Sequence, residues 1–239
     1  MERKIFLKSL IIGAASTSAL AAACKKDDTA STTSTGSSSA STPPSSSNGC
    51  AVAPTETEGP FPTHTPASYV RSDITDGRTG YKLTVKIIIL SNSNSCNPLA
   101  NAMVDIWHCD KDGNYSEYGG SGMQATDYTS VHFLRGRQTT DTSGLVTYTS
   151  IFPGWYSGRS THIHVHVYNS SGTSLKVTQI AFPEGSGSAV AQVNGYSKGL
   201  TGYTYNASDN VFSDSYATEI AAVTGNTTDG FVLTMSISV

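Results

Sequence analysis

The chain has 239 residues, a formal net charge of −3 and a 14% share of charged residues, with no basic stripe. This balance argues against nucleic acid as a partner, because phosphate binding depends on clustered Lys and Arg side chains. Once the N-terminal segments are set aside, the remaining length allows one domain of ordinary size.

The first 24 residues have the pattern of an export signal. Basic residues up to Lys8 precede a short apolar run over residues 10–20, and three alanines then lead to Cys24. The apolar run is too short to span a bilayer. We expect residues 1–24 to be a signal peptide with a lipobox-like end, which would attach Cys24 to a lipid and place the protein in the cell envelope, periplasmic or on the outer surface. Ordinary cleavage with an incidental cysteine stays open.

Residues 25–48 consist largely of Ser and Thr and cannot bury a core, so we predict a disordered tether before a folded domain at residues 49–239. The domain contains Cys50, Cys96 and Cys109, and an exported chain can form disulfides. The sequence itself does not choose the pair. Our expectation is a bridge between Cys96 and Cys109, which would pin a loop to the far end of the next strand.

Short apolar and alternating runs recur along the domain, separated by turn residues, without the rhythm of alternating strands and helices. This pattern favours an all-β fold, namely an antiparallel β-sandwich with long loops that carry the site and little helix. A short helix is predicted at residues 213–223. The predicted strands are 83–90, 102–107, 145–150, 162–168, 177–182 and 231–239.

Candidate metal ligands cluster along the fourth predicted strand. His162, His164 and His166 share one strand face, because side chains alternate between the two faces. Neighbours in this set lie ~6.7 Å apart along the strand, so one ion can gather two adjacent histidines but not three. Tyr156 and Arg159 lie just upstream; a phenolate favours Fe(III) over Zn(II), and a guanidinium suits a bound anion. The histidines alone leave iron, zinc and plain packing open.

Three motifs together carry a family resemblance. Asp105-Ile106 is followed after six residues by Gly113-Asn114-Tyr115, and further along come Pro153-Gly154-Trp155-Tyr156 and Arg159-Ser160-Thr161-His162-Ile163-His164. With these motifs the chain resembles the intradiol ring-cleavage dioxygenases, the family of catechol and protocatechuate dioxygenases. The likeness spans roughly residues 57–182 and is strongest to the exported, single-domain branch. The chain lacks the helical N-terminal dimerisation region of the catechol branch.

The resemblance implies a non-haem Fe(III) centre that acts on a small aromatic diol and O₂. It implies cleavage between the two hydroxylated ring carbons, with a cis,cis-muconate-type diacid as the product. His166 would stay outside the ligand set. The implied ligands are Tyr115, Tyr156, His162 and His164.

The resemblance also implies roles beside the metal. Tyr156 would be the ligand that a chelating diol displaces, Arg159 would stabilise negative charge on the substrate ring, and Gln179 would line the pocket. Structural hydrogen bonds and ion pairs are the expectation for His108 and Arg135.

Two other interpretations stay open at this stage. One is a non-catalytic β-sandwich surface lipoprotein for adhesion or carbohydrate binding, in which the histidines are structural. The other is a zinc hydrolase that uses His162 and His164. Neither the preferred catechol nor the oligomeric state follows from the sequence.

Overall fold

The computed structural model describes residues 51–214 and 216–239, so the predicted signal peptide, the Cys24 anchor and the tether at residues 25–48 lie outside the described residues. No helix in the described part is long and apolar enough to cross a bilayer. The helix α1 is Ala189–Val193, and the strands are β1 (Lys82–Ser91), β2 (Asn97–Pro98), β3 (Met103–Trp107), β4 (Arg135–Thr139), β5 (Leu145–Ile151), β6 (His162–Tyr168), β7 (Ser174–Ala181), β8 (Ala222–Asn226) and β9 (Gly230–Ser238).

The strands form two sheets. One has the order β2-β1-β9-β8, with β5 also pairing to β1, and the other has the order β4-β3-β6-β7. The strand pairs are antiparallel apart from β1 and β9, which run parallel. This arrangement confirms the predicted all-β sandwich with little helix, and it adds one parallel pair.

The core lies between the two sheets. Val85 and Ile87 of β1 and Val104 and Ile163 of the second sheet are fully buried in one continuous cluster. Each such side chain contributes about 1.5–3 kcal/mol relative to an exposed position. Since Ile163 faces this core, the side chains that alternate with it on β6 project from the opposite face of the second sheet.

The six predicted strands are present, whereas the helix predicted at residues 213–223 is wrong. Its middle forms a short 3-10 turn at Tyr216–Thr218, and β8 begins at Ala222. The backbone of Ala181 receives a hydrogen bond from Ala221 N and donates one to Glu219 O, both at 3.0 Å. Pairing with the end of β7 therefore overrides the local helical tendency.

The expected disulfide between Cys96 and Cys109 is also wrong. Cys96 is disulfide-bonded, but Cys109 is a free, buried thiol beneath the aromatic residues Trp107 and Tyr115. The strand β3 lies between the two cysteines in the sequence, and its five residues span about 17 Å. A disulfide needs Cα atoms within about 7 Å, so this strand separates the pair.

Candidate active site

The face of β6 that points away from the core carries the three predicted histidines. His162 and His164 converge, with their Nε2 atoms 3.2 Å apart. The ring of His166 lies further along and is bonded instead to Glu58 Oε1 at 3.0 Å and Ser174 Oγ at 2.8 Å. The structure thus brings two adjacent histidines together and leaves the third outside, as the spacing predicted.

Tyr115 reaches this pair from the loop that follows β3. Its hydroxyl lies 3.2 Å from His162 Nε2, and its side chain is fully buried. The backbone of Tyr115 is fixed by Gln124, whose side chain accepts from Tyr115 N at 2.6 Å and donates to Tyr115 O at 2.8 Å. Gln124 has no motif around it, and sequence reasoning missed it.

Two glycines hold the tyrosine-bearing loops against each other. A Cβ atom on Gly113, which has φ +91°, would collide with the carbonyl oxygen of Trp155, and one on Gly154 would collide with the carbonyl oxygen of Lys111. Gly154 N also donates to Asp110 O at 3.1 Å. This close packing places the Tyr156 ring 5.8 Å from that of Tyr115 between centroids.

The segment of residues 57–61, here called the covering segment, lies over the histidine face. Gly59, with φ +69°, contacts His164 so closely that a Cβ there would sit 3.1 Å from the imidazole Cε1. Phe61 stacks on Tyr115 with centroids 4.6 Å apart. The covering segment excludes water from one side of the site.

Both histidines of the converging pair are neutral. Burial, followed by the charge of Arg159, lowers the pKa of His162 to about 3, and burial also holds the pKa of His164 well below its usual value. His162 Nδ1 lies 2.7 Å from the carbonyl oxygen of Ser160, which can only accept. The Nδ1–H of His162 therefore donates, and its Nε2 presents a lone pair towards His164 and Tyr115.

The two phenols are protonated in the absence of a metal ion. Burial raises the pKa of Tyr115 well above its usual value. Burial also raises the pKa of Tyr156, while the charge of the Arg159 guanidinium opposes that rise. A metal ion bound among these groups would supply the positive charge that both phenolates need.

The donor set fits a metal ion. Two ligands that are each about 2.1 Å from one ion and roughly perpendicular to each other lie about 3 Å apart, close to the 3.2 Å observed here. His164 Nδ1 is buried and has no hydrogen-bond partner in the structure. The described residues hold no group of three or more His, Cys, Asp or Glu suited to a metal, so an ion at this site would need the tyrosine oxygens as further ligands.

Arg159 is held from two sides. Its Nε donates to both carboxylate oxygens of Asp209 at 2.9 Å, and its Nη2 donates to Gln179 Oε1 at 2.6 Å. Gln179 in turn donates to the Thr57 carbonyl oxygen at 2.8 Å, which ties the covering segment to this network. Asp209 is fully buried and lies 50 residues downstream in a loop, where no sequence signal marks it.

A cavity of about 440 Å³ opens beside the second tyrosine and the arginine. It gives a small planar molecule access to Tyr156 and Arg159. Its walls include Thr57, Pro60, Met123, Tyr156, Arg159 and Val211.

Other residues that the sequence singled out serve packing. His108 bonds through both ring nitrogens, to Cys109 O at 2.8 Å and Ser150 Oγ at 2.7 Å. Arg135 is buried and donates to Ser116 O at 2.6 Å and to the Phe61 carbonyl oxygen at 3.0 Å. Both side chains are fixed by structural hydrogen bonds, in line with the expectation from the sequence.

The chain is similar in sequence and in fold to known proteins. Residues 58–220 match the sequence profile of the dioxygenase family. An intradiol ring-cleavage dioxygenase from Tetranychus urticae is 28% identical, with a TM-score of 0.66, and the match covers 79% of this chain and 94% of that one.

Two further solved structures share the fold at lower identity. The dioxygenase domain of a dioxygenase and carbohydrate-binding protein fusion from Streptomyces sp. SirexAA-E is 24% identical, covering 79% of this chain and 98% of that chain with a TM-score of 0.56. The 3-chlorocatechol 1,2-dioxygenase from Rhodococcus opacus 1CP is 19% identical, and the match covers 78% of this chain and 71% of that chain with a TM-score of 0.51. No curated protein matches the chain.

The sandwich and the buried tyrosine–histidine cluster define a ring-cleaving dioxygenase. With the profile match and the Tetranychus urticae relative, the chain belongs to the intradiol ring-cleavage dioxygenase family.

Proposed function

We propose that the protein is an Fe(III)-dependent dioxygenase that opens the aromatic ring of a catechol between its two hydroxylated carbons. One ring C–C bond breaks, both atoms of O₂ enter the product, and the product is a cis,cis-muconate-type diacid. The observation that carries the proposal is the convergence of the Tyr115 hydroxyl, His162 Nε2 and His164 Nε2 within 3.2 Å contacts, with Tyr156 beside them.

Four residues would hold the iron, namely Tyr115, Tyr156, His162 and His164. Phenolates are hard oxygen donors that suit a trivalent ion, and neutral imidazoles complete the set. When bound, Fe(III) supplies the activation of the diol towards O₂. This donor set does not favour the zinc hydrolase, and the buried lone pairs do not favour a purely structural role for the histidines.

The protein's own contribution is charge stabilisation and orientation. Arg159 and Tyr156 both line the cavity where it reaches the site, and the guanidinium charge opposes the rise that burial causes in the pKa of Tyr156. A guanidinium there can donate to the negative oxygens of a bound diol and to a charged ring in the transition state. Because Asp209 and Gln179 fix the guanidinium beforehand, no reorientation is needed during the reaction.

The experiment is an incubation of the iron-loaded protein with catechol under ¹⁸O₂, followed by mass analysis of the product. The proposal predicts a ring-opened diacid that carries two labelled oxygen atoms. A ring-opened product with one labelled atom, or no ring-opened product at all, would contradict it.

We also propose that the enzyme is exported and held in the cell envelope by a lipid on Cys24. The support is the sequence pattern of residues 1–24 and the Ser/Thr-rich composition of residues 25–48. Cell fractionation should find the protein with membranes, and Cys24→Ala should release it. A wild-type protein that remains in the cytoplasmic fraction would overturn this proposal.

A further inference from the structure

The cavity beside Tyr156 has an uneven lining. Of the described residues that line it, Arg159 is the only one with a charged side chain. The other side chains of the lining are uncharged: those of Pro60, Met123 and Val211 are apolar, and those of Thr57, Ser157 and Asn210 are polar. Met123 is 70% exposed at the mouth. A ring substituent that points outwards from Tyr156 would therefore meet an uncharged and partly apolar surface.

The positive charge of Arg159 is already compensated. Asp209 accepts from its Nε through both carboxylate oxygens at 2.9 Å, and this carboxylate is fully buried. Hydrogen bonds from Ser160 N at 2.7 Å and Val211 N at 2.9 Å further stabilise its negative charge. Arg159 thus keeps its hydrogen-bond donors but adds little net positive charge to the cavity.

Further carboxylates surround this ion pair. Burial raises the pKa of Glu56, and the charges of Asp214 and Asp209 raise it further, whereas Arg159 opposes them. Glu56 therefore lies within electrostatic range of Asp209, Asp214 and Arg159. The ion pair thus has further negative charge nearby, which opposes the approach of another anion.

We infer that the cavity selects catechols whose ring substituents are uncharged and apolar, and that it discriminates against catechols with a ring carboxylate. This inference rests on the proposed function and deepens it by naming the substrate class. A methyl or halogen substituent would contact Met123, Pro60 and Val211, whereas a carboxylate would lose its water without gaining a cationic partner.

The test compares 4-methylcatechol with protocatechuate, which carry a methyl or a carboxylate at the same ring position. With the iron-loaded full-length protein at low ionic strength, kcat/KM should favour 4-methylcatechol by about tenfold or more. Anaerobic binding, followed through the visible absorption of the iron-loaded protein, should show the same order of Kd values. Added salt should reduce the ratio of the two kcat/KM values, since screening weakens repulsion between partly exposed charges.

A variant that places a positive charge at the mouth of the cavity tests the inference directly, and a lysine introduced elsewhere on the surface is its control. Met123→Lys should reduce the preference several-fold by offering a carboxylate a partner. Val70→Lys, at a position that is 72% exposed and outside the residues that line the cavity, should leave the preference unchanged.

The possible failures are distinguishable. Protein that binds iron with visible colour but turns over both compounds within twofold of each other would overturn the inference alone. So would a preference that responds neither to salt nor to Met123→Lys. A colourless preparation that cleaves no catechol would overturn the proposed function and the inference with it.

Discussion

His164 and His166 lie on the same strand and the same face, two residues apart, yet their surroundings differ completely. His164 has an Nε2 atom aimed at His162, a buried Nδ1 without a partner, and an indole of Trp107 stacked on its ring at 4.9 Å. His166 bonds at both nitrogens, to Glu58 and Ser174. The comparison teaches that two histidines of one motif can differ in role: His164 directs its Nε2 towards the proposed iron ligands, whereas His166 is held by hydrogen bonds.

The largest expected effect comes from removing each of the two imidazole rings in turn, which tests the difference between these histidines. His164→Ala should lower iron affinity by more than ~100-fold and abolish ring cleavage, because a ligand matters at least as much as the groups that orient it. His166→Ala should keep iron and most activity. Metal analysis after dialysis checks both variants. Equal losses in the two variants would contradict the distinction.

The proposed stabilisation of negative charge by Arg159 can be tested by removing its side chain. Arg159→Ala should retain iron and visible colour but lower kcat by about 10²–10³-fold, the usual cost of losing a preorganised donor. Spectra and steady-state kinetics on the same preparation separate the two properties. Loss of iron in this variant would mean that Arg159 supports the metal site itself.

Asp209 should act through Arg159. Asp209→Asn should lower kcat by about tenfold with a smaller change in KM, because the guanidinium loses its orientation. It should also lower the free energy of unfolding by about 3 kcal/mol, since a buried charge loses its partner. Denaturant titration measures the change in the free energy of unfolding. Asp112→Asn, which removes an exposed pair with Lys111, should cost less than about 1 kcal/mol and serves as the control.

A prediction that concerns stability and not activity is made for His108, a buried histidine that is saturated with hydrogen bonds. Burial lowers the pKa of His108 to about 4, whereas an unfolded histidine titrates near pH 6.5. Below about pH 6.5 the unfolded chain therefore binds a proton that the folded chain does not, and stability falls until about pH 4, by up to about 3 kcal/mol.

His108→Gln should flatten this slope between pH 6.5 and 4, and denaturant titrations at several pH values would measure it. His64→Gln, at an exposed side chain, is the matched control and should leave the slope unchanged. An unchanged slope in the His108 variant would show that this buried ring does not govern the acid dependence.

The sequence predicted the sandwich, six of its strands and the convergence of two neighbouring histidines, because alternation and strand spacing are local properties. It did not predict β4, whose residues Arg135–Thr139 lack apolar alternation and are ordered by pairing with β3. It also missed Asp209 and Gln124, which reach the site through loops that only the tertiary fold brings near. Long-range contacts of single polar residues leave no periodic signal.

The visible absorption spectrum of the iron-supplied protein tests the central claim most directly. Tyrosinate bound to Fe(III) should give a charge-transfer band, with one iron per chain, and Tyr115→Phe should remove or strongly alter that band. Purified, iron-supplied protein that stays colourless and metal-free would contradict the assignment of Tyr115, Tyr156, His162 and His164 as ligands.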